Sequence, residues 1–379
     1  MSDATALAGL SAPAAASPSF VRDAFAALGG GLPTKKHERW RFTSLRALKE
    51  LNFAPGADAL SLTLPAGTTA TKGAPEPHDA PVDFAALNAV ASDGQTRVLR
   101  VEKSSADPIL LTHTATGVHY PRLRIDVAKG QEALVIERHQ GRGALTALAM
   151  DIALEDGAIL RHVRVHEDAG RSISRVAVRA QRSSRYEQHA ITFGGELMRL
   201  DLDIVLAGEG AECGLYGAYH GDESDHIDTH IRAVHRAPHC TSRQDYRGLV
   251  DGRATAVFDG QAIVERTAPF AEAHQQNRNL LLSERANVFT KPHLEIDHDE
   301  VIASHGATVG ALDDASLFYL RSRGISEDVA RALLTFAFVR AIIDGVPDAA
   351  LAEELRATLR ERIPGAADLP EVPTFEDAS

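Results

Sequence analysis

Histidine is the side chain with most chemistry to offer in this chain, which carries 17 of them. A neutral imidazole binds borderline metals and moves protons near neutral pH. His226 and His230, then His235 and His239, recur at i, i+4 with Asp222, Asp225, Asp228 and Cys240 close by. On a helix that spacing aims two rings at one metal. Here Ile227, Ile231 and Val234 lie among polar residues and Pro238 follows, a strand-and-turn pattern in which i, i+4 side chains share a face but stand about 13 Å apart. A solvated strand face is therefore expected for this group. A second group, His293, His298 and His305 with Glu295, Asp297, Asp299 and Glu300, offers the carboxylate and imidazole mixture that suits iron, zinc or manganese, and equally suits an exposed edge. His305 differs from the rest because Gly306 follows it and small residues flank it, leaving the ring open to approach.

Thiol chemistry is sparse. Cys213 and Cys240 are the only cysteines, with no Cys-x-x-Cys spacing, which implies a reducing compartment and excludes an iron–sulfur cluster held by this chain's thiolates alone. Both read as small buried residues. No Gly-x-Ser-x-Gly elbow, dinucleotide glycine pattern or metalloprotease helix occurs, so nucleophilic catalysis has no support. Gly29-Gly30-Gly31 followed by Thr34-Lys35-Lys36 lacks the Gly-Lys-Ser/Thr order of a phosphate loop. A net charge of −12 without a dense basic stripe argues against nucleic acid as the main partner.

Several elements must position these groups. At 379 residues the chain is long enough for two or three structural units. Residues 1–18 are Ala-rich, lack the basic start and long apolar run of a secretory signal, and read as a disordered tail. No apolar stretch is long enough to span a bilayer, so a soluble cytoplasmic protein is expected. Residues 19–95 read as an N-terminal helical domain and linker. Val21, Phe25 and Leu28 recur on one helical face, Thr43 or Ser44 can cap a helix carrying Leu45, Leu48 and Leu51, and Trp40 is placed to anchor this unit onto the next. Pro, Gly, Thr and Ala between Ala54 and Pro81 mark a linker, and residues 83–88 a short helix.

From 96 to 305 short alternating segments such as Leu200-Asp201-Leu202-Asp203-Ile204 are separated by similar turns at Gly130, Gly157, Gly210 and Gly252. Gly130 to Gly157 is 27 positions and Gly157 to Gly210 about twice that. Turns recurring at one long period favour a β-solenoid over a sandwich. Residues 306–363 return to helix, with Asp313 and Ser326 as N-caps and Gly324 as a stop. The second of these helices carries Leu333, Leu334, Phe336, Phe338 and Ile342, too many apolar residues for one face, so some must meet another element or another chain. Residues 364–379 read as a tail.

Three blocks in order, Lys291-Pro292-His293-Leu294-Glu295-Ile296, Ala303-Ser304-His305-Gly306-Ala307-Thr308-Val309-Gly310 and Leu317-Phe318-Tyr319-Leu320-Arg321-Ser322-Arg323-Gly324-Ile325, together resemble the C-terminal signature of the SufB/SufD family of iron–sulfur cluster assembly scaffolds. The stretch from Glu38 to Leu45 resembles an N-terminal motif of the SufD branch. The resemblance implies a right-handed parallel β-helix between helical ends, and a non-catalytic scaffold. It would pair with SufB through its last coil and dock the ATPase SufC through C-terminal helices, here at Leu333, Leu334, Phe336, Phe338 and Ile342. ATP-driven motion would then expose ligands for a nascent, transient cluster, His305 among them. A homodimer when SufB is scarce and flavin association are further implications, and the residues are silent on the flavin. Gln275-Gln276-Asn277-Arg278 lacks the cysteine that SufB proteins carry there, which favours the SufD branch. Ala303 stands where many SufD proteins have a cysteine, so His305 would serve without a thiolate from this chain. The alternative reading is a β-helix carbohydrate-active enzyme of the lyase type, which the helical ends and the missing signal peptide oppose; a hexapeptide acyltransferase would need a strict six-residue repeat that is absent.

Overall fold

A computed structural model describes residues 33–366 and 369, apart from 49–50, 52, 54–55, 57–59, 75–87, 89–95, 115, 142–144 and 168–169. The tail over 1–18, the helix expected at Val21–Leu28, nearly all of the one expected at 83–88 and the end of the chain lie outside the described residues.

Residues 60–73 form strands in place of the expected linker: β1 (Leu60–Thr63) and β2 (Thr68–Gly73), followed by β3 (Thr96–Val101), β4 (Ile109–His113) and the short β5 (Val118–His119). β2 runs antiparallel to β3 and β1 antiparallel to β4, capping one end of the fold. The chain continues through β6 (Arg122–Val127), β7 (Glu132–His139), β8 (Leu145–Leu154), β9 (Ile159–Glu167), β10 (Arg171–Ala180), β11 (Arg185–Phe193) and β12 (Leu197–Leu206). It then passes through β13 (Glu212–Gly221), β14 (His226–His235), β15 (Thr241–Val250), β16 (Thr255–Val264), β17 (Ala271–Leu281), β18 (Asn287–Ile296) and β19 (Val301–Gly310). From β6 onward, odd strands build one sheet and even strands the other, each parallel to the strand two places on. This is a β-solenoid, in which the backbone groups of one coil are satisfied by the next.

The repeat was faint because the corner keeps a conformation rather than a residue. Gly130, Gly157, Ser183, Gly210, His239 and Phe270 all have positive φ, between 54° and 67°. Each donates its N–H to the next coil's corner, from Gly130 to Asp156 O through Ser183 to Glu209 O to Phe270 to Glu300 O. Ser183 is the missing step between Gly157 and Gly210. The left-handed conformation is cheapest for glycine but open to other residues at a cost.

Inside the lumen the core is mostly aliphatic, and size is balanced from coil to coil. A Cβ on Gly217 would come within 2.1 Å of the Tyr246 ring, and one on Gly248 within 2.1 Å of Tyr219. Small residues on one coil make room for aromatic rings on its neighbours.

The segment after Pro33 docks on the outer face of the even-strand sheet. Among the described residues it forms two 3-10 turns, Glu38–Trp40 and Arg46–Leu48, in place of the expected helix over Leu45–Leu51. Side chains, not helical hydrogen bonds, fix it. Trp40 is buried with Val118, Tyr120, Leu145 and Ile173, and the Arg199 guanidinium lies 3.9 Å from its ring centroid. Arg199 donates to Asp228 Oδ2 (2.6 Å), Asp201 Oδ1 (2.8 Å) and the carbonyl of Arg39 (2.8 Å), and Thr43 donates to Asp228 Oδ2 (2.5 Å). Burial would raise the Asp228 carboxyl, but Arg199, His230 and the Thr43 hydroxyl outweigh it and hold it well below the usual carboxylate range.

Three helices follow the solenoid: α1 (Asp314–Ser322), α2 (Glu327–Ile343) and α3 (Ala349–Arg362). Asp313 caps α1 by accepting from Ser316 N, and Asp348 caps α3 by accepting from Leu351 N, both at 2.8 Å; Ser326 holds the α2 cap position without a side-chain bond. The apolar excess of α2 is met within the chain: Phe336, Val339, Ile342 and Ile343 pack on Val163, Ile191, Phe193, Ala218 and Leu249 of the odd-strand sheet. The expected tail begins by joining this cluster, with Ala366 and Leu369 buried. No helix among the described residues is long and apolar enough to cross a membrane.

Two outcomes follow from this packing. Gly217→Ala is expected to lower stability by about 1–3 kcal/mol, whereas Gly306→Ala, whose Cβ would meet nothing within 4 Å, should stay within about 0.5 kcal/mol of the parent in urea denaturation. Asp228→Asn should cost about 3 kcal/mol at neutral pH. Because the folded carboxyl is depressed, that contribution is present above the unfolded value of about 3.9 and fades as pH falls through and below it, so parent and variant should converge in acid unfolding curves.

Candidate assembly interface at the open end of the solenoid

The stacking direction that satisfies each coil leaves the last one unsatisfied on one side. β18 ends the even-strand sheet and β19 the odd-strand sheet; among the described residues each pairs only inward, with β16 and β17. Apolar side chains accompany the free edges: Ile302 is 61% exposed, and Val309, Phe289 and Ile296 are exposed too. A long edge with exposed apolar residues is the template for strand addition by another chain.

His305 sits in the middle of β19, opposite Gln275 of β17. Register carries this position backwards through Gln244, Leu215, Gln188 and His162, all buried in the lumen. His305 therefore ends an inward-facing column and is exposed because no further coil covers it. Beneath it, both side-chain polar atoms of Gln275 and Gln244 are buried without a hydrogen-bond partner among the described residues, a polar floor that accommodates ordered water. An open imidazole over such a floor can ligate a metal or accept a proton.

The neighbouring acidic and histidine residues do not gather around it. His298 Nδ1 accepts from Glu300 N at 3.0 Å, and no metal-spaced group forms from residues 293–305 among the described residues. The earlier histidine group is strand and turn, as its pattern indicates, but it is not a solvated face: His230 and His235 are buried, His235 accepting from or donating to Ser242 Oγ at 2.8 Å. The lumen buries one face of β14 and the segment around Arg39 and Thr43 covers the other, which residue types alone could not reveal. Cys213 and Cys240 are buried and free. Burial pushes the Cys213 thiol up to about 12 and raises Cys240 as well, which makes both inert.

Of the five α2 residues expected at a docking surface, Phe336 and Ile342 are taken up by the sheet, while Leu333, Leu334 and Phe338 are half-buried. Exposure lies instead on α1, where Phe318 is 74% and Tyr319 57% exposed. Sequence reasoning also missed a buried cluster of His113, Glu137, His139 and His162, whose members come from three coils and share no local spacing.

Residues 110–338 match the family model for the SufBD core domain of the SUF system for FeS cluster assembly. The iron–sulfur cluster assembly protein SufD of Escherichia coli is 30% identical, over 89% of this chain and 90% of its own. A SufBD family assembly protein of Mycobacterium tuberculosis is 28% identical over 88% of this chain and 89% of its own. SufD of Bacillus subtilis is 34% identical over 31% of this chain and 26% of its own.

Since His305 is exposed on the last strand, His305→Ala should leave the chain's thermal midpoint within about a degree or two of the parent, in line with the small effect of surface substitutions. A large drop would show that the ring is structural.

Proposed function

The chain belongs to the SufBD family of iron–sulfur cluster assembly proteins, and from that premise we propose that it is a non-catalytic scaffold which pairs with SufB through β18 and β19 and docks SufC through its C-terminal helices. The observation that carries this reading is the asymmetry of the solenoid: one end is capped by antiparallel strands, and the other offers two free edges with apolar residues around an open histidine. A sister subunit with the same coil geometry would continue both sheets, satisfying the edge N–H and C=O groups.

In that assembly His305 is a ligand for the nascent cluster, which is the complex's cargo. Ala303 supplies no thiolate at that point, so sulfur ligands come from the partner. SufC engages the exposed α1 face at Phe318 and Tyr319, with the half-buried Leu333, Leu334 and Phe338 beside it. Because α2 lies on the odd-strand sheet that ends in β19, ATP-driven closure of SufC is transmitted through that contact to the SufB seam and exposes the ligands. Without SufB, the same edges pair two copies of this chain. The compartment is cytoplasmic.

Co-purification with tagged SufB and SufC tests the reading. His305→Ala should leave the complex intact while cluster yield falls several-fold, and a normal yield would remove His305 from the mechanism. Paired Ile302→Lys and Val309→Lys substitutions should release SufB but retain SufC. Retention of both partners would place the SufB seam elsewhere, and cleavage of an acidic polysaccharide by the isolated chain would overturn the scaffold assignment.

A further inference from the structure

Far from the open end, a second group of metal-ligating side chains lies sealed in the first coils. Glu137 on β7 is wholly buried, and its two oxygens face different neighbours. Oε1 lies 2.7 Å from His139 Nε2 and 3.3 Å from His113 Nε2 of β4. Oε2 is held by His162 Nε2 at 3.0 Å and Arg164 Nε at 2.9 Å, both from β9. One ligand atom from each of His113, Glu137 and His139 lies within 4.8 Å of the other two. His113, His139 and His166 stack coil upon coil, with ring centroids 4.3 and 4.0 Å apart.

Two features of this group are unexplained by packing. His113 is 1% exposed, yet neither ring nitrogen makes an aligned hydrogen bond among the described residues. His139 Nε2 also lies 3.3 Å from Arg164 Nη2. One ring atom cannot both donate to Glu137 and accept from Arg164, so wherever its proton sits one contact is repulsive. A cation taking the His139 Nε2 lone pair and Oε1 replaces the contact between those two atoms, and Arg164 Nη2 must then move off that nitrogen, while His162 Nε2 and Arg164 Nε keep the carboxylate oriented through Oε2. Partners of that kind, holding the ligand's other atom, accompany most protein metal sites.

We propose that His113, Glu137 and His139 form a buried structural site for a divalent transition metal of zinc(II) or iron(II) type, fastening β4 to β7 near the capped end. Two imidazoles and a carboxylate are a donor set for such ions, which take ligands at about 2.0–2.2 Å and hold them roughly 3.4 Å apart. The present spacings of 2.7 and 3.3 Å must open, and the His113 and His139 rings, stacked within 15° of parallel, must turn so that their lone pairs converge on the ion. The Arg164 charge opposes the ion and sets a limit on affinity. The site is independent of SufB pairing.

The experiment uses the full-length chain, stripped by chelator and titrated with Zn2+ against a chromophoric competitor, with Co2+ as a spectroscopic probe. One equivalent should bind, raise the thermal midpoint and give cobalt absorption without a thiolate charge-transfer band. His113→Ala and His139→Ala should each weaken Zn2+ binding by at least tenfold, and His162→Ala by roughly 10–100-fold. Failure of the unsubstituted chain to bind one equivalent would overturn the proposal, as would a sulfur signature assigning the metal to Cys213 or Cys240; both readouts hold even if a variant fails to fold.

Discussion

Hydrogen bonding along the solenoid axis is the constraint on which the rest of this molecule depends. Every coil hands its unsatisfied N–H and C=O groups to the next, and the corners do the same through the ladder from Gly130 to Phe270. Such a ladder cannot satisfy itself at its ends. At the first end the chain folds β1 and β2 back antiparallel across the opening. At the last end it leaves β18 and β19 bare and places exposed apolar residues and His305 there. The proposed partner surface is thus the place where the fold's own repeat is interrupted.

The lumen shows how much polarity such a stack tolerates. Most inward positions are aliphatic, but polar groups run through the odd-strand sheet, from the Glu137 cluster to Gln244 and Gln275. A buried polar atom left unpaired costs about 1–3 kcal/mol, so the amides below His305 and Nδ1 of His113, unpaired among the described residues, are departures from an economical core. Elsewhere buried charge is matched: Arg199 is held by Asp201 and Asp228 under Trp40, which binds the N-terminal segment to the sheet.

The helical end answers a different demand. A solenoid's flat outer sheet is apolar where something covers it, and α2 covers the odd-strand sheet with its densest apolar face. This ties the helices mechanically to the sheet that ends in β19, so the exposed aromatic pair on α1 and the open edge belong to one connected body.

Local chemistry in the sequence determined the solenoid, because alternation and left-handed corners are properties of a few adjacent residues, and it determined the order of the three signature blocks, whereas the exposure of His305 comes from its place on the last coil, where an inward-facing column ends. Tertiary structure alone decided everything set by stacking. Why Ser183, His239 and Phe270 serve as corners depends on residues 26 to 30 positions away along the repeat, while the outer face of β14 is buried by the segment around Thr43 and the apolar excess of α2 by the odd-strand sheet, both far more distant in the chain. The same holds for His113, Glu137, His139 and His162, which meet only because register superimposes three coils. Spacing within one strand carries no trace of what the next coil will lay upon it.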